Sequence, residues 1–148
     1  MLNQEIQSQI IPRVDWAKLK STHHLELNDL KIQNIESVLK YIRLTKYVKS
    51  LDLSCTNLSV NAYRKIVSAL ASREINLNRL NLSRNERIDN EVCMILSSLF
   101  SENSPIKHLC LDDTSVTESG VAEIVSSIKE NLKVHTLTFK HCKVNIHS

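Results

Sequence analysis

A Leu-x-Leu unit recurs at Leu25/Leu27, Leu51/Leu53, Leu80/Leu82 and Leu109/Leu111, with Leu137/Phe139 as a fifth copy. The first members therefore step by 26, 29, 29 and 28 residues. Residues at i and i+2 of an extended strand share a face, so each pair predicts a short strand with its leucines inward and the residue between them in solvent. Other positions keep the same register. Three residues before the pair stand Thr22, Val48, Leu77, Ile106 and Val134; seven after its first member stand Ile32, Leu58, Val116 and Val144, and the third copy has Ile88 one place later.

Each predicted strand is followed by apolar residues at spacings of three and four, which mark one helical face per copy. They are Ile35, Val38, Leu39 and Ile42; Ile66, Val67 and Leu70; Val92, Ile95, Leu96 and Leu99; and Val121, Ile124, Val125 and Ile128. The helix returns the chain antiparallel to its strand and lays this face on the leucines. One such unit leaves a side of its core open, and stacking on a neighbour closes it. Each fully buried leucine contributes about 1.5 to 3 kcal/mol. The predicted fold class is α/β, a solenoid with a parallel sheet inside and helices outside; because helices are wider than strands, the sheet side is concave.

The stretches VKSLDLSCTNLSVNAYRKIVSAL, LNRLNLSRNERIDNEVCMILSSL, IKHLCLDDTSVTESGVAEIVSSI and VHTLTFKHCKV resemble leucine-rich repeat proteins, in particular the ribonuclease-inhibitor-like subclass with repeats of 28 to 29 residues. The resemblance covers about residues 22 to 146. That subclass places Asn, Cys or Thr five residues after the first leucine, where the side chain bonds backbone in the turn; here the position holds Thr56, Asn85, Thr114 and Cys142. The first copy departs with Leu30 and is about three residues shorter, as expected of a degenerate terminal repeat. The predicted organisation is a capping segment over residues 1–21, with Trp16 as its largest packing residue, and about five repeats over residues 22–148. The last strand has no matching cap. Either Lys140 and Lys143 guard that edge against strand pairing, or the chain is a piece of a longer array; association through the uncapped edge is a further expectation.

Composition narrows the function classes. The 148 residues include one glycine, Gly120, and two prolines, Pro12 and Pro105, against about ten and seven for average usage. Phosphate-cradling loops need backbone without a Cβ, so P-loop and dinucleotide-binding enzymes are excluded. Gly120 sits at the loop-to-helix position where this subclass often carries glycine, with Ala62 in the same place of the second copy, and reads as a packing residue. The net charge is +3 with the signs interspersed. A basic end carrying Lys133, Lys140 and Lys143 has few aromatic neighbours, so no nucleic-acid partner is expected. No stretch has the eighteen or so apolar residues of a membrane span, and Cys55, Cys93, Cys110 and Cys142 include no Cys-x-x-Cys pair, which points to reduced thiols in a cytoplasm.

Function is expected from the outward strand positions, which fall into columns. The residues before the pair are His24, Ser50, Arg79, His108 and Thr136; those between its members are Glu26, Asp52, Asn81, Cys110 and Thr138. Next come Asn28, Ser54, Ser83, Asp112 and Lys140, then Asp29, Cys55, Arg84, Asp113 and His141 at the turn. The resemblance implies a non-enzymatic module that binds another protein through this face. His108, Cys110 and Asp112 alternate along one strand, but positions two apart are about 6.5 to 7 Å apart, beyond nucleophile-to-base reach. His135, His141, Cys142 and His147 lack paired zinc spacing, and no cofactor is expected. His23 and His24 read as solvated residues at a strand start. Arg84 and Arg87 flank Asn85 in a strand-to-helix loop; Ran GTPase-activating proteins share the repeat subclass, so regulation of a GTPase by a loop arginine is the alternative. A structural segment of a larger repeat protein is a third reading. Abundant Asn, Ile, Lys and Ser also suit an effector that an intracellular bacterium delivers into a host cell.

Overall fold

Strands and helices alternate along the chain in the computed structural model, which describes residues 16–29, 31–32, 34–72, 74–100, 105–128 and 134–142. The order is α1 (Trp16–Thr22), β1 (His24–Glu26), α2 (Ile35–Thr45), β2 (Ser50–Asp52), α3 (Val60–Ala71), β3 (Arg79–Asn81), α4 (Asn90–Ser97), β4 (His108–Cys110), α5 (Glu118–Ile128) and β5 (Thr136–Thr138). The strands form one parallel sheet in chain order, β1 to β5. Leu25, Leu51, Leu80, Leu109 and Leu137 are successive partners across it. The architecture is therefore α/β, with helices returning the chain between parallel strands, as a parallel sheet requires.

The ladder runs past the three-residue strands at both ends. At the starts, the carbonyls of His23, Lys49, Asn78 and Lys107 each accept two consecutive N–H groups from the next strand. Beyond the ends, Leu27 N donates to Asp52 O, Leu53 N to Asn81 O, Leu82 N to Cys110 O and Leu111 N to Thr138 O. Two residues further on, Asp29, Cys55, Arg84 and Asp113 repeat the pattern onto Ser54, Ser83, Asp112 and Lys140. Asp29, Cys55, Arg84, Asp113 and His141 all take left-handed φ, between 53° and 62°. Aspartate, cysteine, arginine and histidine thus hold the left-handed position, one place before Thr56, Asn85, Thr114 and Cys142.

The core is aliphatic. Leu25, Leu27, Leu51, Leu53, Leu80, Leu82 and Leu111 are wholly buried, and the apolar faces of α2 and α3 lie on them. Tyr63 and Phe100 add the largest buried side chains, neither of them in the predicted helical stripes. Leu137 and Phe139 of the edge strand are only half-buried. The reading of α5 needs a correction at Val125, which is 53% exposed although it falls at helical spacing. Of that helix only Gly120 and Ile124 are buried, because no described strand or helix comes after β5 to cover the rest.

Buried polar side chains close the turns as the resemblance implied. Thr56 Oγ1 donates to Leu53 O at 2.7 Å and Thr114 Oγ1 to Leu111 O at 2.8 Å. Asn85 does more: its Nδ2 donates to Leu82 O and to Leu53 O of the preceding copy, while Oδ1 accepts from Thr56 N and Asn57 N. Cys142 Sγ donates to Leu111 O at 3.1 Å.

Helix starts are capped by side chains that relieve unpaired N–H groups. Asn34, Ser59 and Asp89 cap α2, α3 and α4 by accepting from Glu36 N, Ala62 N and Val92 N. For α5 the cap comes from the neighbouring helix: Asn90 Oδ1 accepts from Thr117 N and Gly120 N, and its Nδ2 donates to Thr117 Oγ1. A Cβ on Gly120 would stand 2.6 Å from that same Oδ1 and 3.0 Å from Cys93 Sγ. The lone glycine therefore stands where α4 side chains leave no room for a Cβ on α5.

Leu19 of α1 is buried in the common core. Residues 1–15 of the expected capping segment, the side chain of Trp16, Leu30, Lys133, Lys143, Val144 and His147 lie outside the described residues. No helix among the described residues is long and apolar enough to cross a membrane.

Candidate functional site

Parallel pairing in one register sets the outward residues in straight rows across the sheet. His24, Ser50, Arg79, His108 and Thr136 are successive partners, as are Glu26, Asp52, Asn81, Cys110 and Thr138. Glu26, Arg79, Thr136, Lys140 and the turn residue Arg84 are exposed; His24, Asn28, Ser50, Asp52, Asn81, Ser83, His108, Cys110, Asp112 and Thr138 are half-buried. Ser54 corrects the reading. It is only 2% exposed and offers no side chain to a partner. Its backbone is held on both sides, N–H by Asp52 Oδ1 and carbonyl by Asp29 N, and its short side chain does not rise out of the turn.

Neighbouring strands are tied by side-chain hydrogen bonds within a row. His24 Nδ1 and Ser50 Oγ are 2.6 Å apart, and His108 Nδ1 and Thr136 Oγ1 are 2.7 Å apart. His24 is thus a half-buried, bonded residue rather than a solvated one; its Nε2 also lies 3.6 Å from Glu26 Oε1, which Lys18 approaches at 3.8 Å. The pairing of a histidine with the hydroxyl on the next strand recurs in the same column of β1/β2 and β4/β5, so strand geometry accounts for it. Asp52 and Asn81 each fold back to accept the N–H two residues on, from Ser54 and Ser83.

Asp112 is the best-held carboxylate of the face. Burial raises its pKa, but the backbone N–H of Lys140, the Thr138 hydroxyl, the Cys110 thiol and the Lys140 charge together outweigh burial and bring it below the ordinary value. The Lys140 N–H is 2.8 Å from Asp112 Oδ1. Thr138 Oγ1 is buried without a well-formed bond of its own, yet stands near enough to help. His108 is shifted down, first by burial and then by the charges of Arg79, His135 and Lys107. The His108 and His135 rings meet edge to face at 5.6 Å.

Lys107 and His135 were not among the expected site residues. They belong to a further column, two places before the first leucine, comprising His23, Lys49, Asn78, Lys107 and His135. That position has the leucines' parity, so the period-two reading passes over it; His135 comes to the site through its ring contact with His108.

Arg84 and Arg87 are both exposed on the β3–α4 loop, on either side of buried Asn85. Arg87 lines a polar groove of about 380 Å³ with Asn34, Asn57, Ser59 and Lys65. All four cysteines are free. Buried Cys93 has its thiol pKa pushed up to about 12 by burial, Asp89 and Cys142. Among the described residues no group of three His, Cys, Asp or Glu side chains is placed to hold a metal ion. Compared with models of known protein families and with curated proteins, the chain finds no match.

Proposed function

We propose that this chain is a short right-handed leucine-rich repeat solenoid whose concave sheet face and adjacent loops hold another protein. The observation that carries the reading is the row arrangement of polar side chains across five parallel strands, standing over a backbone that the buried leucines and Asn85 keep rigid. Strands about 4.8 Å apart give a face some 20 Å wide, the size of a modest interface. Family resemblance supports the same use of the face. The reading places the protein in a cytoplasm, that of a host cell if an intracellular bacterium delivers it.

Asp52→Lys combined with Arg79→Glu reverses two central charges of the face without touching the core. Pull-down of bound proteins by wild type and by this variant is the test. Loss of specific partners is expected, and unchanged recovery of every partner would sink the reading.

A second reading, regulation of a small GTPase, rests on Arg84 and Arg87 standing exposed beside the anchored Asn85. Such a loop arginine would supply positive charge to a partner's phosphate in trans. Replacing both with alanine should then slow the partner's GTP hydrolysis, and an unchanged rate removes this reading.

A further inference from the structure

The sheet is polarised along the strand direction. The two columns at the strand starts, from His23 to His135 and from His24 to Thr136, contain no carboxylate; they carry Lys49, Arg79, Lys107 and four histidines. Every carboxylate of the face, Glu26, Asp29, Asp52, Asp112 and Asp113, lies in the middle column or beyond it. The carboxylates are engaged: Glu26 with Lys18 and His24, Asp52 with Ser54 N, Asp112 with Lys140 N, and Asp113 with His141. The cations are not. Arg79 and Lys107 form no ion pair among the described residues, although both charges converge on His108.

Concentrated like charge without counter-charge is the electrostatic footprint of an anionic ligand. Building on the reading of this face as a protein-binding surface, we infer that the leading edge of the sheet, at Lys49, Arg79, Lys107, His108 and His135, binds an acidic segment of the partner laid across the strands. An extended segment of about six residues spans the same ~20 Å as the five strands. The carboxylate row immediately beside the edge sets the register, because it repels acidic side chains displaced toward the strand ends. The same row disfavours a polyphosphate backbone, and the edge has imidazoles but no Trp, Tyr or Phe on which bases would stack.

The test is fluorescence anisotropy with a labelled peptide of about twelve alternating Glu and Ser residues, long enough to cross the sheet. Wild-type protein should bind it with an affinity that falls steeply as salt is raised. Lys49→Glu with Lys107→Glu should weaken binding at least about tenfold, and Lys49→Gln with Lys107→Gln by less, with circular dichroism confirming that both variants fold. Glu26→Lys with Asp52→Lys should bind the peptide as well as wild type or better. In wild type, bound peptide should raise the His108 titration midpoint followed by NMR, since an anion offsets the charges of Arg79, Lys107 and His135 around it. Equal binding by the Lys49/Lys107 variants, no binding at low salt, or tighter binding of a single-stranded RNA of equal charge would each overturn the inference. A protein that still loses its partner through Asp52→Lys and Arg79→Glu, yet ignores the acidic peptide, would keep the interaction reading and lose this one.

Discussion

The third and fifth copies of the Leu-x-Leu unit share a spacing and a register but not an environment. In β3, Leu80 and Leu82 are wholly buried between β2 and β4, and Asn85 reaches back to Leu53 O as well as to its own turn. In β5, Leu137 and Phe139 are half-buried with β4 on one side, and the thiol of the corresponding turn residue, Cys142, bonds Leu111 O and the Thr114 hydroxyl. The motif specifies direction, inward or outward. Burial comes from having a neighbour on both sides.

Truncating the two leucines measures that difference. Leu80→Ala should destabilise by about 3 to 5 kcal/mol in chemical denaturation, the cost of lost burial plus an uncollapsed cavity. Leu137→Ala should cost about 1 to 2 kcal/mol, because part of its surface already meets water. Equal losses would mean that β5 is as enclosed as β3.

Asn85→Ala comes next, at about 3 kcal/mol. It strands the N–H groups of Thr56 and Asn57 and removes donors from two buried carbonyls, and each unsatisfied buried group costs about 1 to 3 kcal/mol before relaxation. Thr114→Ala removes one turn bond and should cost only about 1 kcal/mol. A smaller effect at Asn85 than at Thr114 would show that the link between copies carries no stability.

Glycine substitution at the left-handed turn position should act in the opposite direction. Arg84→Gly relieves about 1 to 2 kcal/mol of left-handed strain and gives back about 0.4 to 1 kcal/mol to the unfolded chain, for a net gain of about 0.5 to 1 kcal/mol. His141→Gly, with φ of 61° against 55°, should gain a similar amount in thermal unfolding, since this strain is local and independent of burial. A gain at one site alone would contradict that.

The smallest effect is on pH. The pKa of His108 lies below its ordinary 6.5 in the folded protein, so its protonation favours unfolding. The corresponding stability is present above pH 6.5 and is lost as pH falls from there through the lower folded-state value. Lys107→Gln should move the His108 midpoint, read by NMR, back toward 6.5; a midpoint that stays where it is would remove Lys107 as a cause.

The parallel α/β sheet was legible because inward and outward alternate with period two and the helix faces with period 3.6, which are local geometric facts. The turn roles of Thr56, Asn85 and Thr114 were legible only through the family resemblance, not through either period. Ser54 was misjudged because alternation predicts which way a side chain points, not how far it rises above its neighbours. Val125 was misjudged because its spacing names a helical face, while coverage depends on having a further element stacked beyond β5. The Asn90 cap on α5 joins residues 27 and 30 positions apart, a relation that no spacing rule contains. As for the site, the columns could be drawn in advance, but the segregation of charge could not: it emerges only when the column of Lys49 and Lys107 is placed beside that of Arg79 and His108.

Strands that pair in chain order also set how the molecule can assemble. Each new strand finds its partner 26 to 29 residues back along the chain, so no step has to bring distant parts of the polypeptide together. The entropy of closing each loop is nearly the same at every step, since it varies only with the logarithm of loop length. Folding should therefore start at whichever adjacent pair forms first and spread in both directions, at a rate governed by short-range contacts.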